Sequence, residues 1–231
     1  MKWLFKKPIA HRGLHDIDAC ENSLSAFAKA VEGNYGIELD IQLTKDKQVI
    51  VFHDDNTKRM TSKSMNINQS SYDSLKTLKL LNTEDEIPLF RDVLKEIKGQ
   101  VPLLIEIKNE KTDEEFEYII ANILDGYEGL FAIQSFNAKS MAWFKNNRPH
   151  FVRGLIFGDE KSSSVKIIFK FLMAYLTCKP HFVALDYLLL KTDIVKICHF
   201  MRIPLLCWTI NSKAKAKKAL ALVDNIIFEE I

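Results

Sequence analysis

Short apolar runs that read as strands and segments with helical spacing take turns along this chain from end to end. The strands are expected at 7–13, 37–43, 101–108, 130–136, 152–157, 182–186, 204–210 and 225–228. Between them, helices are expected at 23–32, 89–98, 114–124, 139–146, 165–176, 193–201 and 212–222, the first capped by Asn22 and stopped by Gly33. Strand, helix and strand in strict succession require parallel neighbours joined by right-handed crossovers. Eight such strands close into a (β/α)8 TIM barrel, an α/β fold in a single domain; a doubly wound open sheet is the alternative. The barrel is favoured because polar residues gather at the C-terminal ends of several different strands, where a barrel builds its site. The longest interruption, 56–88, is a polar excursion with one short helix expected at 72–81.

Size and composition fit that fold and exclude several others. A chain of 231 residues suits one such domain and buries a large core, and 47% hydrophobic with 27% charged residues is ordinary for a globular protein. The net charge of +2 is spread along the chain, so no nucleic-acid footprint is expected. Cys20, Cys178, Cys198 and Cys207 lack the close pairs of a zinc or redox motif and read as reduced thiols. Pro8 breaks the N-terminal segment before any apolar stretch of signal-peptide length, so a cytoplasmic location is expected.

The second strand carries the chemistry. Ile37, Leu39, Ile41 and Leu43 alternate with Glu38, Asp40 and Gln42, so Glu38 and Asp40 point the same way, about 7 Å apart. Either the strand is acidic because it faces solvent, or a cation sits between the carboxylates, and paired hard oxygens suit Mg²⁺ or Ca²⁺. A tight turn and a second apolar run, 49–52, return His53 toward the pair. The next strand ends in Glu106 and Lys108, and the first ends in His11 and Arg12. All of these reach the same rim.

Together these residues resemble the glycerophosphodiester phosphodiesterases. The matching pieces are IAHRG at 9–13, ENS at 21–23, ELDIQLTKD at 38–46, VFHDD at 51–55, IPLF at 87–90 and LIEIK at 104–108. QSF at 134–136, GLIF at 154–157 and CWTIN at 207–211 agree as well. The resemblance implies a TIM barrel that binds one divalent ion and hydrolyses a small glycerophosphodiester to glycerol 3-phosphate and an alcohol. It further implies that Glu38, Asp40 and Glu106 are metal ligands and that His11 and His53 are an acid/base pair. Arg12 and Lys108 match phosphate-contacting positions, Trp208 matches a wall of the substrate pocket, and Glu21 matches a carboxylate of the site. Where the family commonly ends its last strand in Thr-Asp before a proline, this chain has Phe228, Glu229 and Glu230, which leaves that strand's contribution unassigned. Competing readings are a phospholipase D-like, sphingomyelinase D-like or lysophospholipid-acting barrel, and a catalytically silent binding barrel.

One stretch stands outside this account. Residues 161–179 are the most apolar of the chain, with Lys166 and Lys170 one helical turn apart. The run is too short to span a bilayer, which leaves deep packing, a homodimer contact or a peripheral membrane contact.

Overall fold

A computed structural model describes residues 1–81, 83–109, 114–158 and 164–229. Parallel strands β1 (Ile9–Ala10), β2 (Gly36–Leu43), β4 (Leu103–Ile107), β5 (Phe131–Ser135), β6 (Arg153–Phe157), β7 (Phe182–Asp186), β8 (Leu205–Ile210) and β9 (Asn225–Phe228) close into a ring. Closure comes from β1, which pairs in parallel with β2 on one side and β9 on the other. The expected (β/α)8 barrel is therefore present. The short run β3 (Val49–Val51) lies outside the ring, antiparallel to the end of β2. That hairpin carries the chain back to the rim at His53.

Helices α1 (Leu24–Glu32), α3 (Phe90–Ile97), α4 (Glu115–Leu124), α5 (Ala138–Asn147), α6 (Ser164–Cys178), α7 (Asp193–Phe200) and α8 (Lys213–Leu220) occupy the expected stretches. The helix expected at 72–81 is only the single turn α2 (Tyr72–Leu75). Beyond it Leu78 and Leu80 are drawn into a small cluster with Ile50, Phe52, Met60 and Ile67, and Lys79 pairs with Glu86 in an antiparallel bridge. Burying two leucines two residues apart on one side requires extended backbone, so helical spacing loses to packing.

The first strand is also shorter than expected. It stops at Ala10 because Arg12 and Gly13 take left-handed backbone, at φ 56° and 83°. At Gly13 a Cβ would come within 2.9 Å of both the Ala26 Cβ and the Phe27 ring, so the turn has room only for glycine.

Two layers of apolar side chains follow from period-two alternation. Outward-facing Ile37, Leu39, Ile41, Leu103, Ile105 and Ile107 pack under Phe27, Phe90, Phe144 and Phe171. Inward-facing Ile9, Leu104, Ala132, Ile156, Phe182, Ala184, Leu206 and Ile227 fill the barrel, with Leu4 among them. The next inward residue on each strand lies two positions further along. Counting from Ile9, Leu104, Leu206 and Ile227 gives His11, Glu106, Trp208 and Glu229. The apolar filling thus dictates which residues form the polar layer above it.

On α6 the inner face, Ile167, Phe171 and Cys178, is buried. Packing accounts for that side of the helix alone. Residues 161–163 of the apolar stretch, and Glu230, lie outside the described residues.

Candidate active site

Glu38 and Asp40 project from β2 into the barrel mouth and are each 1% exposed. Asp40 is in register with Glu106 on the neighbouring β4, which brings a third carboxylate alongside. One oxygen from each of the three lies within 4.8 Å of the others. The protein offsets part of this charge. Lys108 Nζ is 2.8 Å from Glu106 Oε1 and 3.3 Å from Asp40 Oδ1, and Arg12 Nε is 3.3 Å from Asp40 Oδ2. The Arg12 backbone N–H donates to Glu38 Oε2 at 3.1 Å, and Asn22 Nδ2 donates to Asp40 Oδ2 at 2.9 Å.

The compensation is uneven. Burial, and then the charges of Asp40 and Glu106, push the Glu38 carboxyl well above the usual range. Burial and Asp40 together push Glu106 up to about 7. Burial would raise Asp40 too, but Lys108, Arg12 and the two histidines outweigh it and hold Asp40 below its ordinary value. Asp40 Oδ1 is buried without a hydrogen bond among the described residues. Three crowded carboxylates, two of them with raised affinity for a proton and one with an oxygen met only by the Lys108 ion pair, form a donor set that fits one hard divalent cation.

The histidines flank this cluster, and each is backed by its own carboxylate. His11 Nδ1 lies 2.5 Å from Glu229 Oε1, while its Nε2 lies 3.9 Å from Glu38 Oε2. His15 Nε2 is 3.8 Å from the same Glu229 oxygen. The hydrogen bond from His11, with the His15 imidazole close by, holds the Glu229 carboxyl below the usual range. His53 Nδ1 lies 2.6 Å from Asp54 Oδ1, and Arg59 donates to both Asp54 oxygens at 2.7 and 2.9 Å. Hydrogen bonds from Arg59, then from His53, bring Asp54 down to about 2 despite partial burial. Burial lowers His53, so its neutral form is favoured in this pocket.

Glu21 sits one step back. It accepts hydrogen bonds from Arg12 at 2.7 Å and from both terminal nitrogens of Arg59 at 2.7 Å. It therefore anchors the excursion after β3 to the turn after β1 and does not join the three-carboxylate cluster.

The structure brings His11, His53, Glu38, Asp40, Glu106, Arg12 and Lys108 together. Beside them opens a cavity of about 940 Å³ lined by His53, Glu106, Lys108, Phe136, Lys139 and Met173 among others. Trp208 does not line that cavity. Its Nε1 donates to the Ala184 carbonyl at 3.0 Å, and its ring meets Phe136 edge-on at 5.6 Å, so it caps the barrel filling beside the mouth.

Glu229, His15, Asp54 and Arg59 were given no role in the site from the sequence, and Asn22, expected to cap the first helix, bonds Asp40 instead while Ser23 caps α1. For Glu229 the signal was available, because it stands two residues past the inward Ile227. For Arg59 there was none, since its partners lie 5 and 38 residues away and belong to different elements.

Comparison with known proteins places this geometry. Residues 11–231 match the profile of the Glycerophosphoryl diester phosphodiesterase family. A glycerophosphodiester phosphodiesterase of Caldanaerobacter subterraneus subsp. tengcongensis is 27% identical over 235 residues, spanning 96% of this chain and 93% of that protein. Human lysophospholipase D GDPD1 is 35% identical over 115 residues, which is 44% of this chain and 36% of its own length. Among solved structures, an Oleispira antarctica phosphodiesterase in complex with the product sn-glycerol-3-phosphate superposes with a TM-score of 0.85. That match spans 97% of this chain and 93% of the other at 21% identity, and the likeness is one of fold.

Proposed function

We propose that this chain, which belongs to the Glycerophosphoryl diester phosphodiesterase family and is a phosphodiester hydrolase, cleaves small glycerophosphodiesters to glycerol 3-phosphate and an alcohol by metal-assisted two-histidine chemistry. The observation that carries this reading is the pair of imidazoles, each oriented by a carboxylate on Nδ1, on either side of a cluster of three carboxylates. Glu38, Asp40 and Glu106 would hold one divalent ion, Mg²⁺ or Ca²⁺. When bound, the ion supplies positive charge against the phosphoryl oxygens.

The protein's own groups account for the remaining demands. Cleavage needs one proton taken from the attacking hydroxyl or water and one given to the departing alkoxide. Glu229 and Asp54 occupy Nδ1 of His11 and His53, which fixes each ring and leaves Nε2 for that exchange. Arg12 and Lys108 present fixed cations to a bound phosphate, and each is already held by Asp40 at 3.3 Å. Phe136, with Trp208 against it, walls the side where the alcohol half would lie. The reading takes residues 1–231 as one barrel domain and places the enzyme in the cytoplasm, which the four buried free thiols support.

A lysophospholipid, which carries an acyl chain on its glycerol half, is a second reading, favoured by the apolar lining that Phe136, Met173 and Ala174 give the cavity. A coupled assay for glycerol 3-phosphate tests the first reading and an assay for the freed alcohol tests the second, because hydrolysis of a lysophospholipid leaves the acyl chain on the glycerol phosphate. Glycerophosphocholine, glycerophosphoethanolamine, glycerophosphoglycerol and a lysophospholipid are offered to chelated enzyme, with and without added Mg²⁺ or Ca²⁺. Release from a soluble diester only when an ion is present is the expected result. No release from any substrate with either ion overturns the reading.

A further inference from the structure

Helix α6 shows solvent a face that its fold does not use. Val165, Phe169, Met173 and Leu176 are 80, 65, 50 and 60% exposed. At 3.6 residues per turn they fall within an arc of about 80°, opposite the buried Ile167, Phe171 and Cys178. Lys166 and Lys170 run along one flank of that arc. On the same flank α5 brings Lys139 and Lys145, and Lys145 Nζ donates to the Thr177 carbonyl at 3.1 Å. The segments Ala138–Asn147 and Ser164–Cys178 together contain four lysines and no acid. Apolar stripe and basic flank are thus side by side.

The position of this face matters as much as its chemistry. Met173 belongs to the exposed stripe and also lines the cavity that begins at His53, Glu106 and Lys108. Met173 thus joins the exposed stripe to the cavity that reaches the catalytic rim, and Lys139 lines the same cavity.

We propose that the outer face of α6, with the lysines of α5 and α6, is a docking surface for an anionic phospholipid bilayer. The helix would lie in the plane of the interface with Val165, Phe169 and Leu176 among the headgroups and lysines against lipid phosphates. No helix of the described residues is long and apolar enough to cross a membrane, so the contact is peripheral. A second copy of the chain fits this face less well. A two-fold contact would set each basic flank against its own copy with no acid on either helix to meet it. Four side chains also expose on the order of a few hundred Å², short of the roughly 800 Å² per partner of a stable interface. A bilayer carries the complementary charge and has no minimum area.

Flotation of the full-length protein with vesicles tests this without reference to turnover. Association is expected with vesicles of phosphatidylcholine and phosphatidylglycerol at low salt. It should be lost with phosphatidylcholine alone and reversed by high salt. Phe169→Gln is expected to weaken binding about 10- to 100-fold. Lys166→Glu with Lys170→Glu should weaken it roughly 25-fold, about fivefold per lysine. Turnover of soluble glycerophosphocholine should stay at the parent level in both variants, which also reports that they are folded. Protein that stays off anionic vesicles at low salt overturns the proposal, as does binding unchanged by Phe169→Gln. A dimer in size-exclusion chromatography that Phe169→Gln converts to monomer overturns it as well, assigning the face to contacts between copies.

Discussion

Replacing Glu229 by Gln should slow catalysis sharply while leaving the fold intact. In the structure Glu229 Oε1 is 2.5 Å from His11 Nδ1, with His15 at 3.8 Å, and its side chain is 30% exposed. A hydrogen bond to a charged partner contributes about 1.5–3 kcal/mol, and each 1.36 kcal/mol of lost transition-state stabilisation is tenfold in rate. Partial exposure screens the interaction, so the lower part of that range applies, about 10- to 50-fold in kcat. Substrate contacts are untouched, so KM should stay within about threefold. Glu229→Asp tests geometry separately, because it draws the carboxylate back by one carbon–carbon bond, about 1.5 Å, with its charge retained. It should fall between parent and Gln. The double variant Glu229→Gln with His11→Ala should be no slower than His11→Ala alone, since the carboxylate acts through the ring. Steady-state kinetics on glycerophosphocholine and a thermal melt give all of these quantities. The acid side has a definite sign: the two imidazoles hold the Glu229 pKa down, so its tether contributes fully above its ordinary value of 4.5 and is lost only as the pH falls below it. A Glu229→Gln enzyme within twofold of the parent kcat would refute the orienting role.

Further outcomes follow from the same geometry. His53→Ala should cost about 10²- to 10⁴-fold in rate with the melting temperature nearly unchanged, and a folded variant within a few-fold of the parent would give His53 another role. Chelation should abolish turnover, and added Mg²⁺ or Ca²⁺ should raise the melting temperature of the parent but not of Glu106→Ala; full activity after chelation and dialysis would remove the ion from the reaction. Gly13→Ala should cost about 2–4 kcal/mol, because φ is 83° and the new Cβ meets Ala26 and Phe27 at 2.9 Å, and a melt lowered by roughly 4–16 °C would show it. Burial pushes Cys178 up to about 11 and Cys198 and Cys207 up to about 12. The folded thiols are therefore neutral, their contribution to stability is complete below about pH 9 and fades as the pH rises toward those values, and a thiol reagent at about pH 8 should modify them only after denaturant is added.

The barrel was legible because its signal is periodic. Alternation in β2 and β4 settled which residues face inward, and that alone brought Glu38, Asp40 and Glu106 to one mouth. The motif pieces around His11 and His53 carried the family, which the match over residues 11–231 bears out. Local contest was harder to read. The helix expected at 72–81 fails after one turn because Leu78 and Leu80 gain more from the small cluster around Ile50 and Phe52 than from continued helix. Long-range pairing was harder still, since nothing in the sequence around Arg59 announces that it bridges Asp54 and Glu21. At the chain's end, Phe228-Glu229 read as the loss of a family pair. In the fold it puts a carboxylate on His11.

The two histidines are held by different means, and this separates what each depends on. His53 takes its carboxylate from the adjacent residue, and Arg59 and Glu21 fasten that unit to the turn after β1. Its placement is a property of one excursion from the barrel. His11 takes its carboxylate from a residue 218 positions away, delivered by the strand that closes the ring. Its placement exists only when β9 is paired with β1. Loosening the last strand should therefore reach His11 first, leaving the carboxylate cluster and His53, which rest on β2, β4 and the β2–β3 hairpin, in position. One half of the acid/base pair is thereby coupled to completion of the barrel, and the other to the local packing of Ile50, Phe52 and Met60 beneath its loop.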